Sequence, residues 1–74
     1  MKEKDPILER VNTNIIANLY WRGQSRDECA VRAGMCRQSF DNRIADPGRW
    51  RIKELKRLAD WWMIPVETLF EDRR

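Results

Sequence analysis

The stretch RDECAVRAGMCRQSFDNRI, residues 26–44, decides the fold of this chain. It contains two short helical segments separated at Gly34, because glycine readily takes the positive φ that turns the chain tightly. Ala30 is small enough for the second helix to cross at close range, and Phe40 follows ten residues later. We expect the Phe40 ring to fill the angle between the helices. The stretch therefore predicts two short helices packed across a tight turn.

Helix signals continue in both directions from this stretch. Asp5-Pro6 and the capping box Ser25–Glu28 predict helix starts, whereas Gly23 and the Asp46-Pro47-Gly48 turn predict helix ends. Helices are predicted over about residues 6–22, 26–33 and 37–45, then in a segment that Trp50 and Ile52 lead into and that runs through Trp62 until Pro65 breaks the pattern, with a last helical turn around 66–70. No alternating strand pattern lasts more than a few residues. The sequence predicts one all-α domain over residues 1–74, a compact bundle of about five short helices.

Composition excludes several classes of protein. The 74 residues include no histidine, which removes histidine-based catalysis and most zinc sites, and only two cysteines, Cys29 and Cys36. We therefore expect no enzymatic activity, no metal, no cofactor and no small-molecule ligand. No apolar run approaches the roughly 18 residues that span a bilayer. With no secretory signal at the N-terminus, we expect a cytoplasmic protein without a membrane partner.

Positive charge is concentrated in the middle of the chain. Residues 22–57 hold ten basic and five acidic side chains, although the whole chain carries a net charge of only +3. An excess of this kind favours a polyanionic partner, and a well-solvated surface is the alternative explanation.

The pattern over residues 26–44 is typical of a DNA-binding helix-turn-helix. Over about residues 7–71, the chain resembles the Cro and lambda-repressor-like family of helix-turn-helix regulators. The matching segments are RGQS (22–25), the spacing of Glu28, Ala30 and Gly34, IKELKRLA (52–59) and IPVETLF (64–70). The segment FDNRIADPG (40–48) is similar to small phage or prophage members. Cys36 stands where members usually have Ser or Thr, and Trp62-Met63 stands where they usually have Leu-Gly.

The resemblance implies a lambda-repressor-like domain whose motif covers about residues 25–45. Its function would be that of a small transcriptional regulator, a Cro-like protein or repressor, that binds a near-palindromic operator in double-stranded DNA as a homodimer. The second motif helix would enter the major groove and read bases through Arg37, Gln38, Asp41 and Asn42. Arg37 suits guanine, and Gln38 or Asn42 suits adenine. Asp41 either accepts from cytosine or orients Arg37.

Phosphate contacts are expected on both sides of this helix. The candidates are Gln24, Arg26, Arg43, Arg49 and Arg51, which flank the motif helices. The alternative function is a protein-interaction module, such as an antitoxin or an adaptor, on the same scaffold.

The adjacent residues Trp61 and Trp62 point about 100° apart on a helix, so both are hard to bury in a core this small. We expect them, with Phe70, to form part of a homodimer contact, with Trp21 as a weaker candidate. Cys36, at a helix start beside Arg37, is either a reactive thiol or simply a small residue at a cap position.

Overall fold

Four α-helices and two short 3₁₀ helices form the chain in a computed structural model, which describes residues 6–71. The elements are α1 (Pro6–Trp21), α2 (Arg26–Ala33), α3 (Arg37–Ala45), a 3₁₀ helix (Pro47–Arg49), α4 (Ile52–Trp62) and a final 3₁₀ helix (Val66–Phe70). No residue between 6 and 71 lies in a strand, which confirms the all-α prediction. None of the helices in that range is long and apolar enough to cross a membrane.

Two of the predicted elements, the last helix and the turn around Pro47, differ in detail from the structure. The fifth predicted helix is the 3₁₀ helix Val66–Phe70, so the described part of the chain has four α-helices. The turn predicted around Pro47 is also a 3₁₀ helix, because proline suits the first position of a helical turn. Asp5, predicted to cap α1, lies outside the described residues.

Local signals account for the ends of the helices. Ser25 Oγ accepts from the Glu28 N–H at 3.1 Å, and Glu28 Oε1 accepts from the Ser25 N–H at 3.1 Å. This reciprocal pair is the predicted capping box at the start of α2. Gly34 ends α2 with φ of 83°, and Met63 ends α4 with φ of 58°. Met63 takes this left-handed conformation despite its Cβ, which makes it the only non-glycine residue with a positive φ among residues 6–71.

The core lies between α1, the α2–α3 pair, α4 and the final 3₁₀ helix. Its buried apolar side chains are Val11, Ile15, Cys29, Ala30, Ala33, Phe40, Leu55, Leu58, Ala59, Trp62 and Leu69. The Phe40 ring is fully buried and meets Trp50 edge to face, with 5.7 Å between ring centroids. The Cα radius of gyration is 11.4 Å, close to the roughly 11 Å expected of a compact chain this long.

One buried polar side chain joins the two ends of the described chain. Asn14 is completely buried in α1, and its Nδ2 donates to the carbonyl oxygens of Leu69 and Glu71, both at 2.8 Å. These bonds hold the final 3₁₀ helix against α1, because they satisfy two backbone carbonyl groups at the end of that helix. The apolar pattern of α1 gave no sign of this role.

Candidate nucleic-acid interface

Helix α3 packs through very few of its side chains. It follows α2 after a three-residue turn over 34–36, and Phe40 is its only fully buried residue. The side of α3 that carries Arg37, Gln38, Asp41 and Asn42 faces away from the core, and we call it the outer face of α3. Because residues four apart are neighbours on a helix, these side chains form two adjacent columns. The structure thus brings the four predicted base-reading residues together on one accessible surface.

Two arginines and two aspartates connect α2 to this outer face. Asp41 Oδ1 accepts from Arg26 Nη1 at 3.2 Å, and its Oδ2 accepts from Arg37 Nε at 3.1 Å. Arg37 Nη1 donates to Asp27 Oδ2 at 3.2 Å, across the turn between the helices. We call Arg26, Asp27, Arg37 and Asp41 the α2–α3 ion network. Its two positive charges and two negative charges cancel.

The ion network favours one of the two roles predicted for Asp41. Both carboxylate oxygens of Asp41 already accept hydrogen bonds from guanidinium groups. Although desolvation works against it, hydrogen bonding to Arg37 and then to Arg26 holds the pKa of Asp41 below its ordinary value. The hydrogen bond to Asp41 also raises the pKa of Arg37. Asp41 therefore orients Arg37 in this structure, and Arg26 is held in the same contact.

Three amide side chains complete the set of predicted DNA-binding residues on and before the motif helices. Gln38 and Asn42 are exposed on α3. Gln24 is half-buried, and its Oε1 accepts from the Trp62 indole N–H at 2.7 Å. Because an indole N–H can only donate, the Gln24 oxygen is committed to Trp62 and its Nε2 keeps two donor hydrogens for another acceptor.

Arg43, predicted to bind phosphate, instead ties α3 to α4. Its Nε and Nη2 donate to the two carboxylate oxygens of Glu54 at 2.8 and 3.0 Å, and its Nη1 donates to the Ser39 carbonyl at 3.2 Å. The side chains are only 17% and 9% exposed. A guanidinium held on three sides and largely buried is not available to a phosphate, so this assignment is corrected. Glu54 was missed because its partner lies eleven residues away on another helix.

Of the five predicted phosphate residues, Arg49 and Arg51 are the most accessible. Arg51 is exposed just before α4, and Arg49 is 64% exposed in the 3₁₀ helix after α3. Arg49 Nε donates to Asp46 at 3.3 Å, a surface ion pair of the kind that exchanges partners readily.

Burial corrects part of the predicted dimer contact. Trp62 is 4% exposed and belongs to the core. Trp61 is half-buried and stacks on Trp62 with 5.7 Å between ring centroids, and the Arg32 guanidinium lies 5.4 Å from the Trp61 ring. Phe70 is half-buried against the core. Stacking, together with a guanidinium cover, lets this small domain accommodate both adjacent indoles.

The large exposed aromatic side chains lie on α1 instead. Tyr20 is 82% and Trp21 is 80% exposed. They lie on an open, nearly flat face of α1, here called the α1 patch, which consists of Asn12, Thr13, Ile16, Ala17, Tyr20 and Trp21. The patch carries no charged side chain, although 36% of the chain is charged.

The two cysteines occupy contrasting positions. Cys29 is buried in α2, and desolvation raises the pKa of its thiol to about 11. Cys36 is the exposed N-cap residue of α3, and a hydrogen bond with the Ser39 hydroxyl at 3.3 Å lowers the pKa of its thiol. The Cys36 side chain makes no capping hydrogen bond of the strength that Ser or Thr supplies, although the nearby backbone N–H groups of Ser39 and Gln38 also lower the pKa of its thiol.

Comparisons of this chain with models of known protein families, with curated proteins and with solved structures found no match.

Proposed function

We propose that the chain is a sequence-specific duplex-DNA-binding regulator that reads bases with the outer face of α3. The observation that carries the proposal is that this face leaves Gln38 and Asn42 exposed beside the oriented guanidinium of Arg37. Amide and guanidinium groups are the side chains that pair with adenine and guanine edges in the major groove. Arg37, Gln38 and Asn42 are the proposed base readers, and Asp41 orients Arg37.

The proposed phosphate contacts follow from which groups remain accessible. Arg49 and Arg51 lie on one side of α3 in sequence, and Gln24 lies before α2 with its Nε2 available. Arg43 is left out because Glu54 holds it. Because the α2–α3 ion network is neutral, we expect moderate affinity for random DNA and a modest salt dependence. The resemblance extends the proposal to a Cro-like or repressor-like protein of phage or prophage type.

Replacing both Arg37 and Gln38 with alanine should abolish sequence preference. Selection from a random duplex library at about 150 mM salt tests this, with sequencing of the enriched pool. The wild-type protein should enrich two inverted half-sites about one helical turn apart, roughly 34–36 Å. In the double variant, each base pair that the two residues read should lose its preference of about 1–3 kcal/mol.

The matched control is Lys56→Ala, which also removes one positive charge from an exposed helix position. It should enrich the same sequence as the wild type. If the wild-type protein enriches no sequence, the proposal of a specific reader is rejected. Binding that is steeply salt-dependent but indifferent to sequence would instead identify a non-specific nucleic-acid binder.

We further propose that the homodimer forms through the α1 patch. The patch carries two exposed aromatic side chains on one open face of α1, so two copies can pack these rings against each other across a two-fold axis. Because it has no charge, pairing it with itself buries no unpaired ion. Two aromatic side chains from each copy would bury on the order of 600 Å² of accessible surface, which is about half of the total area that a stable interface buries.

Trp21→Ala should weaken self-association at least about tenfold, because large aromatic side chains carry much of the binding energy at interfaces. Sedimentation equilibrium between micromolar and millimolar concentrations measures this. Ile52→Ala, which truncates an apolar side chain 66% exposed elsewhere, is the control and should not change it. A wild-type protein that stays monomeric throughout would reject the dimer, and the α1 patch would then favour the alternative function, an interaction module for another protein.

A further inference from the structure

We propose that Asp27 is a positioning residue that fixes Arg37 in one orientation and thereby sets how strictly one base pair is discriminated. The inference rests on the proposed DNA-binding function. It concerns a residue that α2 contributes, outside the helix that reads bases.

The contacts of Arg37 come from two different helices. Asp41, one turn later on α3, holds Nε at 3.1 and 3.2 Å from its two oxygens. Asp27, from α2, holds Nη1 at 3.2 Å. A single carboxylate on the same helix leaves a guanidinium free to pivot about that contact, whereas a second carboxylate on another element restricts this rotation. Asp27 therefore supplies the contact that determines the direction in which the guanidinium plane faces.

The held guanidinium keeps enough donors to recognise a base. Arginine has five N–H groups, and the two aspartates engage only Nε and Nη1. One hydrogen on Nη1 and two on Nη2 remain, and a pair of guanidinium donors is what guanine O6 and N7 accept. A fixed direction favours this one partner over the several acceptors that a mobile arginine reaches, including phosphate oxygens.

The charge balance of the α2–α3 ion network points the same way. Asp27 is 69% exposed, and an exposed carboxylate near DNA repels phosphate. Together with Asp41 it cancels the positive charges of Arg26 and Arg37, so the network gains little non-specific affinity. Asp27 therefore lowers the affinity for DNA of any sequence while it holds the direction of the Arg37 donors, and this combination favours discrimination between base pairs over tight binding.

Asp27→Asn should therefore change two measured quantities in opposite directions. The dissociation constants are measured by fluorescence anisotropy at about 150 mM salt, for the selected operator, for the operator with the guanine pair of Arg37 replaced, and for a random duplex. Wild-type discrimination at that pair should be about 5- to 150-fold. In Asp27→Asn, this discrimination should fall to about a third of the wild-type value or less, because one oriented contact is lost. The affinity for the random duplex should rise about twofold, because a negative charge near the phosphates is removed.

The opposite signs separate positioning from structural damage, because a damaged fold would weaken binding to all three duplexes. Asp60→Asn is the matched control, since it makes the same change of charge at an exposed position of α4. It should leave discrimination unchanged. Unchanged discrimination in Asp27→Asn, with a clear operator for the wild type, would overturn the inference while the proposed function stands.

A second measurement needs no DNA. Nitrogen-15 relaxation of the arginine Nε–H groups should show Arg37 more restrained than the exposed Arg51 in the wild type, and equally mobile in Asp27→Asn. An Arg37 that is as mobile as Arg51 in the wild type would overturn the inference whatever the DNA result. A restrained Arg37 in a protein that selects no sequence would reject the proposed function, and with it any role of Asp27 in discrimination.

Discussion

Truncation of Phe40 to alanine should cost about 3–5 kcal/mol of the free energy of unfolding, because it removes a fully buried ring and leaves a cavity. The ring lies where α3 packs onto the core and meets Trp50 edge to face at 5.7 Å. A domain of this size is stabilised by about 4–11 kcal/mol in total. The variant should therefore lose a large fraction of its stability and unfold at a much lower urea concentration than the wild type.

Urea unfolding followed by circular dichroism at 222 nm measures the effect. Val31→Ala, which shortens an apolar side chain that is 74% exposed on the adjacent helix α2, is the control and should change stability by no more than about 0.5 kcal/mol. Equal urea midpoints for Phe40→Ala and the wild type would show that this ring does not hold α3 in place. DNA binding should fail together with folding in Phe40→Ala, unlike the loss in the Arg37 and Gln38 double variant.

Replacement of Glu54 by glutamine should cost about 2–3 kcal/mol, because it leaves the largely buried Arg43 guanidinium without its counter-charge. Glutamine keeps the shape of the side chain and loses only the charge and one strong acceptor. The control is Glu67→Gln, since Glu67 is exposed in the final 3₁₀ helix, and its effect should be within about 0.5 kcal/mol.

The double variant Arg43→Met with Glu54→Leu separates pairing from packing. Apolar side chains of similar volume often replace a buried ion pair without loss, so the double variant should recover part of the stability lost in Glu54→Gln, less the contribution of the hydrogen bond from the Arg51 N–H to Glu54 Oε1 at 3.0 Å. If the wild type, Glu54→Gln and the double variant all have the same urea midpoint, the Arg43–Glu54 pair contributes nothing to stability.

The same ion pair gives stability a defined dependence on pH. Desolvation opposes the shift, but the hydrogen bond from Arg43 and the bond from the Arg51 backbone N–H hold the pKa of Glu54 below its ordinary 4.5. The folded protein therefore binds this proton less tightly than the unfolded chain does. The contribution is fully present above pH 4.5 and is lost as the pH falls through the lower pKa of the folded state. The Glu54→Gln variant should lack this part of the acid sensitivity.

Much of the fold was predictable because its signals are local. The capping box at Ser25, the glycine at position 34 and the limits of α3 all depend on residues within about one helical turn of each other. Phe40 was expected in the core because its position relative to Ala30 follows from two helices and a tight turn. The outer face of α3 followed in turn, since the side of a helix opposite a buried ring is exposed.

The pairing of charged side chains was not predictable from the sequence. Asp27 lies ten residues before Arg37, and Glu54 lies eleven residues after Arg43. Each pair forms because separate helices pack together, so neither spacing nor composition identifies the partner. The prediction that Arg43 binds phosphate failed for this reason, since a sequence shows that an arginine is present but not which carboxylate it reaches.

The burial of large side chains was likewise decided by the packing of the helices and not by the local sequence. The sequence placed two adjacent indoles on α4 and favoured exposure for both, yet Trp62 is in the core and Trp61 stacks on it, whereas Trp21 is exposed. The sequence by itself determined the approximate extent of each α-helix and which stripe of each is apolar, because these depend on backbone preferences and on the helical repeat. Only the tertiary structure decided which charges are neutralised and which aromatic rings reach solvent, because both depend on distances between helices that are remote in the chain.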